Sequence, residues 1–118
     1  MRHLLPAALL IGSLGQATMA LAQPVTLINV FEVPQGALEP TIRFWEAARD
    51  FLARQPGYHS TRLHQAILPD ARFQLVNLAV WDSPEAYRAA TQRMQAELRV
   101  PPPPGLAFHA ALYRVVRE

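Results

Sequence analysis

Residues 73–87 read FQLVNLAVWDSPEAY. The first part, with its approach from about Arg72 through Asp82, is aliphatic, β-branched and aromatic, the composition of a strand. Ser83-Pro84-Glu85 then supplies a helix N-cap, a proline at the first helical position and an acid in the first turn. A strand therefore feeds directly into a helix that runs to about Leu98, with Tyr87, Ala90, Met94 and Leu98 on one face. Upstream, Tyr58–Ile67 reads as a second strand, and Leu68-Pro69-Asp70-Ala71 between the two predicts a tight hairpin. Before it, apolar residues at 38, 42, 45, 48 and 52, widened by Phe44 and Phe51, recur at helical spacing from Leu38 to about Gln55. Glu39, Arg43, Glu46, Asp50 and Arg54 take the other side, Pro40 sits in the first turn, and Pro56-Gly57 ends the helix. Val25–Val33 and Ala107–Val116 supply the outer strands, the latter after a stiff spacer of four prolines at 101–104. The order β-α-β-β-α-β predicts an α+β, ferredoxin-like domain: an antiparallel sheet with two helices on one face. The other face then needs a partner or a ligand.

Composition narrows the function classes. The 118 residues are 51% hydrophobic and 17% charged, which is globular. Cysteine is absent, excluding disulfides, thiol catalysis and cysteine-ligated metal. The eleven basic residues are all arginine and the net charge is only +2, with no basic run, so nucleic acid is not expected as a partner. Glycine-rich phosphate loops, HExxH and a nucleophile elbow are all missing.

Residues 1–22 have the layout of a secretory signal peptide: basic Met1-Arg2-His3, an apolar stretch from Leu4, and Ala20-Leu21-Ala22 before Gln23. Cleavage after Ala22 predicts a periplasmic or secreted domain spanning 23–118, with no stable membrane association once the leader is removed. A retained amphipathic anchor is one alternative. A start at Met19, giving a cytoplasmic protein, is another.

Strand alternation sorts residues between faces. On the strand within 72–82, Val76, Leu78 and Val80 form an aliphatic row suited to packing on helices, leaving Phe73, Leu75, Asn77, Ala79 and Trp81 for the open face. A hairpin closed at Pro69-Asp70 places Arg62 opposite Asn77, His64 opposite Leu75 and Tyr58 opposite Trp81. With Leu27, Asn29 and Phe31 from the first strand, the expected ligand wall on the open face contains Asn29, Phe31, Tyr58, Arg62, His64, Phe73, Asn77 and Trp81. Aromatic walls carrying a few polar groups suit small planar ligands. A one-residue slip of the hairpin would overturn its share of this assignment.

The runs FQLVNLAVWDSPEAY, INVFEV, PGYHSTRLH and LPDARF together resemble the antibiotic biosynthesis monooxygenase family, over nearly all of Val25–Glu118. The resemblance implies a homodimer, a dimeric α/β barrel closed by two open sheet faces, each subunit keeping its own pocket. It also implies oxygenases that make quinones from anthrones or hydroquinones without a cofactor, heme-degrading enzymes, and other small-metabolite enzymes. Asn77, Trp81 and Tyr87 match the spacing of the substrate-binding Asn, Trp and Tyr of the quinone-forming branch. Asn29 and Trp81 match the heme-degrading branch, but the second helix contains no histidine to ligate iron. A leader peptide departs from the usual family pattern.

Two kinds of role are open to each of these residues. Asn77 either pins the sheet or binds ligand, Trp81 either packs at a dimer interface or lines the pocket, and Tyr87 either fills core or donates a hydrogen bond. His64 is the candidate proton acceptor, alone or through water, because imidazole as a side-chain type can take and give a proton near neutral pH. His59 and His109 read as ordinary strand histidines, and no metal site is expected. The resulting expectation is a cofactor-free monooxygenase that uses molecular oxygen on a small aromatic, phenolic compound. Two further classes fit: a non-catalytic periplasmic dimer that binds an aromatic or lipophilic ligand, and a heme-binding or heme-degrading protein.

Overall fold

The computed structural model describes residues 23–118; the expected leader lies outside the described residues. Strands β1 (Val25–Glu32), β2 (Tyr58–Gln65), β3 (Leu75–Trp81) and β4 (Ala107–Tyr113) alternate with helices α1 (Leu38–Leu52) and α2 (Pro84–Glu97) in the expected order. The four strands form one antiparallel sheet ordered β2-β3-β1-β4, the ferredoxin-like arrangement. Ser83 caps α2 as its sequence predicts: its hydroxyl accepts from the Ala86 N–H at 3.1 Å. α1 begins instead at Ala37 with no side-chain cap, and the fully buried Thr41 donates back to the Ala37 carbonyl at 2.7 Å.

Two expectations about the sheet are corrected. Pro69 and Asp70 do form the expected turn, with the Ala71 N–H donating to the Leu68 carbonyl at 3.4 Å, but the paired strands end at Gln65 and resume at Leu75, so the turn sits within a longer loop, residues 66–74. Gln74 holds the loop by donating its side-chain amide toward the carbonyls of Leu68, Pro69 and Ala71 at 3.3, 3.1 and 2.8 Å. Tyr58 does pair with Trp81, but a bulge between Tyr58 and Ser60 shifts every later pair by one. Thr61 therefore opposes Ala79, Arg62 opposes Leu78, Leu63 opposes Asn77, and His64 opposes Val76. The slip moves Arg62 and His64 to the face opposite Asn77.

The faces are also reversed from the expectation. Leu27, Phe31, Leu75, Ala79 and Trp81 are buried beneath the helices, and Asn77 lies among them. The row that carries Leu78, 39% exposed, looks out, together with its neighbours Val76 and Val80 and with Ile28 and Val30 of β1. Both rows of β3 are apolar, so the period-two pattern separates them without saying which one the helices cover. Volume decides it: the larger Trp81 and Leu75 fill space under two helices, and Ala90 of α2, with no exposed surface, packs on the same cluster.

Gly57 shows how closely that roof approaches. It has φ +91°, and a Cβ there would lie 2.5 Å from the Ala86 Cβ of α2. Gly57→Ala is expected to cost about 2–4 kcal/mol, from left-handed strain plus overpacking. Gly36, at φ +80°, has open space for 4 Å around the position a Cβ would take. The same substitution there should lose only the strain part, about 1–2 kcal/mol. Urea unfolding of both variants checks this, and equal losses would show that the approach to α2 is not tight.

Candidate functional site

A cavity of about 310 Å³ lies between the sheet and the two helices. Its floor comes from all four strands: Leu27, Asn29 and Phe31 of β1, Tyr58 and Thr61 of β2, Asn77, Ala79 and Trp81 of β3, and Phe108 and Ala110 of β4. Its roof comes from Phe44, Trp45, Ala48, Arg49 and Leu52 of α1 and Tyr87, Thr91, Met94 and Gln95 of α2. Of the nine residues predicted for the site, six line this space: Asn29, Phe31, Tyr58, Asn77, Trp81 and Tyr87. They do so on the helix-covered face and not on the open one.

Three predicted residues are elsewhere. His64 and Arg62 are turned away by the bulge, both exposed. Phe73 lies before β3 and packs edge-on against His109, with ring centroids 6.4 Å apart. His109 pairs with Val30, so that contact belongs to the outward face. There His109 bonds Glu32 at 2.9 Å, and with the Arg72 guanidinium it holds the Glu32 carboxyl below the ordinary carboxylate range.

The floor is organised around two amides. Asn29 and Asn77 are directly opposed across β1 and β3. The Thr61 hydroxyl donates to Asn77 Oδ1 at 2.7 Å, which fixes the amide and leaves its NH₂ side for another acceptor. The bulge makes this contact possible by turning Thr61 to the helix side. Asn29 Oδ1 is buried with no hydrogen-bond partner among the described residues. A buried, unsatisfied acceptor costs about 1–3 kcal/mol, a cost that a bound donor removes. One end of the floor thus offers an acceptor beside a donor, spaced as neighbouring strands are.

Beyond the amides the walls are aromatic. Trp81, 1% exposed, is flanked edge-on by Tyr58 and Tyr87 at centroid distances of 5.6 and 5.7 Å. Phe108 is within 5.9 Å of Phe31 and 6.4 Å of Phe44. Burial pushes the Tyr87 hydroxyl above the ordinary tyrosine value, so it stays protonated and available as a donor near neutral pH. The cavity lining includes no carboxylate and no imidazole. Among the described residues no cluster of His, Asp and Glu is arranged to hold a metal ion.

Sequence reasoning missed Thr61, Trp45, Arg49, Phe44 and Phe108. Thr61 was hidden by the bulge. Trp45 and Phe44 read as part of the apolar stripe of α1, and they are half-buried in the cavity roof. Arg49 carried a signal: it stands four residues after Trp45 and three before Leu52, a charge placed on the apolar side of α1.

Residues 24–111 match the family described as antibiotic biosynthesis monooxygenase. The chain belongs to that family. The monooxygenase-family fold recurs in solved structures. A protein from Shewanella loihica PV-4 assigned as a monooxygenase is 49% identical, with a TM-score of 0.77 over 83% of this chain and 99% of its own. SnoaB of Streptomyces nogalater, a cofactor-independent oxygenase, is 26% identical, with a TM-score of 0.62 over 82% of this chain and 97% of its own. The heme-degrader MhuD of Mycobacterium tuberculosis, solved with two hemes in its active site, shares the fold at 24% identity, with a TM-score of 0.60 over 80% of this chain and 97% of its own. No curated protein matches the chain.

Proposed function

We propose that this member of the family is a cofactor-independent monooxygenase that oxidises a small phenolic ring system, of the hydroxyanthrone or hydroquinone kind, with molecular oxygen. The observation that carries this reading is the opposed amide pair in an aromatic cavity, one amide held by Thr61 and the other with an orphaned acceptor. A ring hydroxyl donates to Asn29 Oδ1, while an adjacent oxygen that becomes anionic accepts from the Asn77 NH₂. Tyr87 adds a second donor and Trp81 a flat wall. Such donors, fixed before reaction in a space that excludes water, lower the energy of the enolate or phenolate.

With neither carboxylate nor imidazole in the lining, the proton passes to water, and His64 has no part in it. The anion gives one electron to dioxygen, and the carbon radical and superoxide combine. The hydroperoxide then loses water, so that a ring CH₂ becomes C=O, one oxygen atom is retained and the other leaves as water. The identity of SnoaB as a cofactor-independent oxygenase supports the same route. A histidine-ligated heme does not fit the residues: His59, His64 and His109 all lie outside the cavity lining and α2 carries no histidine.

An oxygen electrode with 1,8-dihydroxyanthrone and chelator present tests the proposal. Oxygen uptake should match quinone formation without added metal, flavin or heme. Uptake at the buffer rate, or uptake that requires added heme, would overturn it.

The outward row of Ile28, Val30, Val76, Leu78 and Val80, with the exposed Tyr113 of β4, is read as the surface of a homodimer. Light scattering should give about twice the mature mass, and a monomer at micromolar concentration would contradict the barrel. Export with cleavage after Ala22 completes the proposal, and N-terminal sequencing of the secreted protein should then begin at Gln23.

A further inference from the structure

The cavity lining holds one nucleophilic atom that the oxygenase chemistry does not use. The chain has three methionines and no cysteine, and Met1 and Met19 both precede Gln23. Met94 therefore carries the single sulfur atom of residues 23–118. It stands on α2 three residues after Thr91 and seven after Tyr87, and all three side chains contribute to the cavity roof. The residue is half-buried. The packed cluster of Leu27, Ala79, Trp81 and Ala90 draws on Ala86, Tyr87 and Ala90 of α2 but not on Met94. Core filling thus does not account for the thioether, and the cavity is what it faces.

A thioether accepts hydrogen bonds only weakly and donates none, so it does nothing to hold a phenolate. Its characteristic reaction is oxidation to the sulfoxide, in which sulfur attacks the terminal oxygen of a peroxide. Across the cavity the buried Asn29 Oδ1 has no partner among the described residues, which marks the floor as a place where a hydrogen-bond donor is held. We propose that Met94 is the oxidation site of this cavity: a hydroperoxide held on the amide floor gives its terminal oxygen to the Met94 sulfur. The O–O bond breaks, an S–O bond forms, and the hydroperoxide proton stays on the other oxygen, which becomes an alcohol. Sulfur loses the two electrons that the hydroperoxide gains, so no further reagent is consumed. An anthrone hydroperoxide that takes this route ends as the 10-hydroxyanthrone and not as the quinone. The internal source of hydroperoxide rests on the oxygenase reading, but the reaction of Met94 with one supplied from outside does not.

Peptide mass spectrometry tests both parts. Trypsin cuts after Arg93 and Arg99, so Met94 reports alone in the peptide of residues 94–99. Cumene hydroperoxide, a small aromatic hydroperoxide, should raise the mass of that peptide by about 16 Da, one oxygen atom. The rate in the folded protein should level off as the hydroperoxide concentration rises, as binding in a cavity requires, whereas the free peptide should react in simple proportion. 1,8-Dihydroxyanthraquinone at about ten times its dissociation constant should slow the reaction about 10-fold, in line with the fraction of cavities left empty. With 1,8-dihydroxyanthrone, oxygen-18 gas and catalase, the peptide should instead gain about 18 Da, matched by an equal amount of 10-hydroxyanthrone. In Met94→Leu, which keeps the apolar bulk, that alcohol should fall to the level formed without protein. Quinone formation with no label on Met94 overturns the proposal, as does oxidation by cumene hydroperoxide that keeps pace with the free peptide. No oxygen uptake from the anthrone, with saturable oxidation of Met94 by cumene hydroperoxide, would refute the oxygenase and leave the oxidation site standing.

Discussion

Asn77→Ala is expected to lower turnover of a hydroxyanthrone by about 10–1000-fold, the range seen when a fixed donor to a developing oxyanion is removed. The substitution also leaves the Thr61 hydroxyl without its acceptor in a half-buried position, at a stability cost of about 1–3 kcal/mol. Thr61→Val separates these effects. It removes the hydroxyl that orients the amide but retains Asn77, so turnover should fall by a smaller factor than in Asn77→Ala, with a comparable loss of stability. The double variant should then lose less than the two single losses combined, because both act through one hydrogen bond. Turnover and urea unfolding measured on the same preparations decide the matter. A destabilised Asn77→Ala with normal turnover would make the residue architectural and remove the central donor from the proposed mechanism.

The second large effect falls on stability. Trp81 is 1% exposed, lies between two tyrosine edges and ends the strand that feeds α2. Trp81→Ala should cost about 3–5 kcal/mol, the usual range for deleting a buried aromatic. For a domain this small that is a large part of a total stability of roughly 5–15 kcal/mol. The melting temperature should fall by about 12 °C or more. Trp81→Phe keeps a ring between Tyr58 and Tyr87 and should recover most of the loss. A loss below about 1 kcal/mol for the alanine variant would mean that the ring packs into space that the cavity simply absorbs, in contrast to the costs usual for a core position. Because Trp81 is both core and cavity wall, its substitution is a poor measure of catalysis, and Asn77 is the better probe of chemistry.

The element order could be read from residue pattern because each signal is local. Ser83-Pro84-Glu85 starts a helix wherever the chain goes next, Pro56-Gly57 ends one, and β-branched runs extend. The amides at 29 and 77 stood out for a related reason: a polar side chain in an apolar strand must find a partner in any fold. Face and register are different in kind. Val76, Leu78 and Val80 alternate with Leu75, Asn77, Ala79 and Trp81, and both rows are mainly apolar, so alternation alone is symmetric between them. The helices broke that symmetry by taking the larger side chains beneath them. The bulge after Tyr58 has no composition of its own, yet by adding one residue it sent His64 and Arg62 outward and brought Thr61 onto Asn77. Arg49 joined the site through the packing of α1 over the sheet, a contact between segments distant in the chain. Local preferences thus specified which elements form and which residues carry chemistry, whereas long-range packing chose the faces, the register and the group of residues that share one cavity.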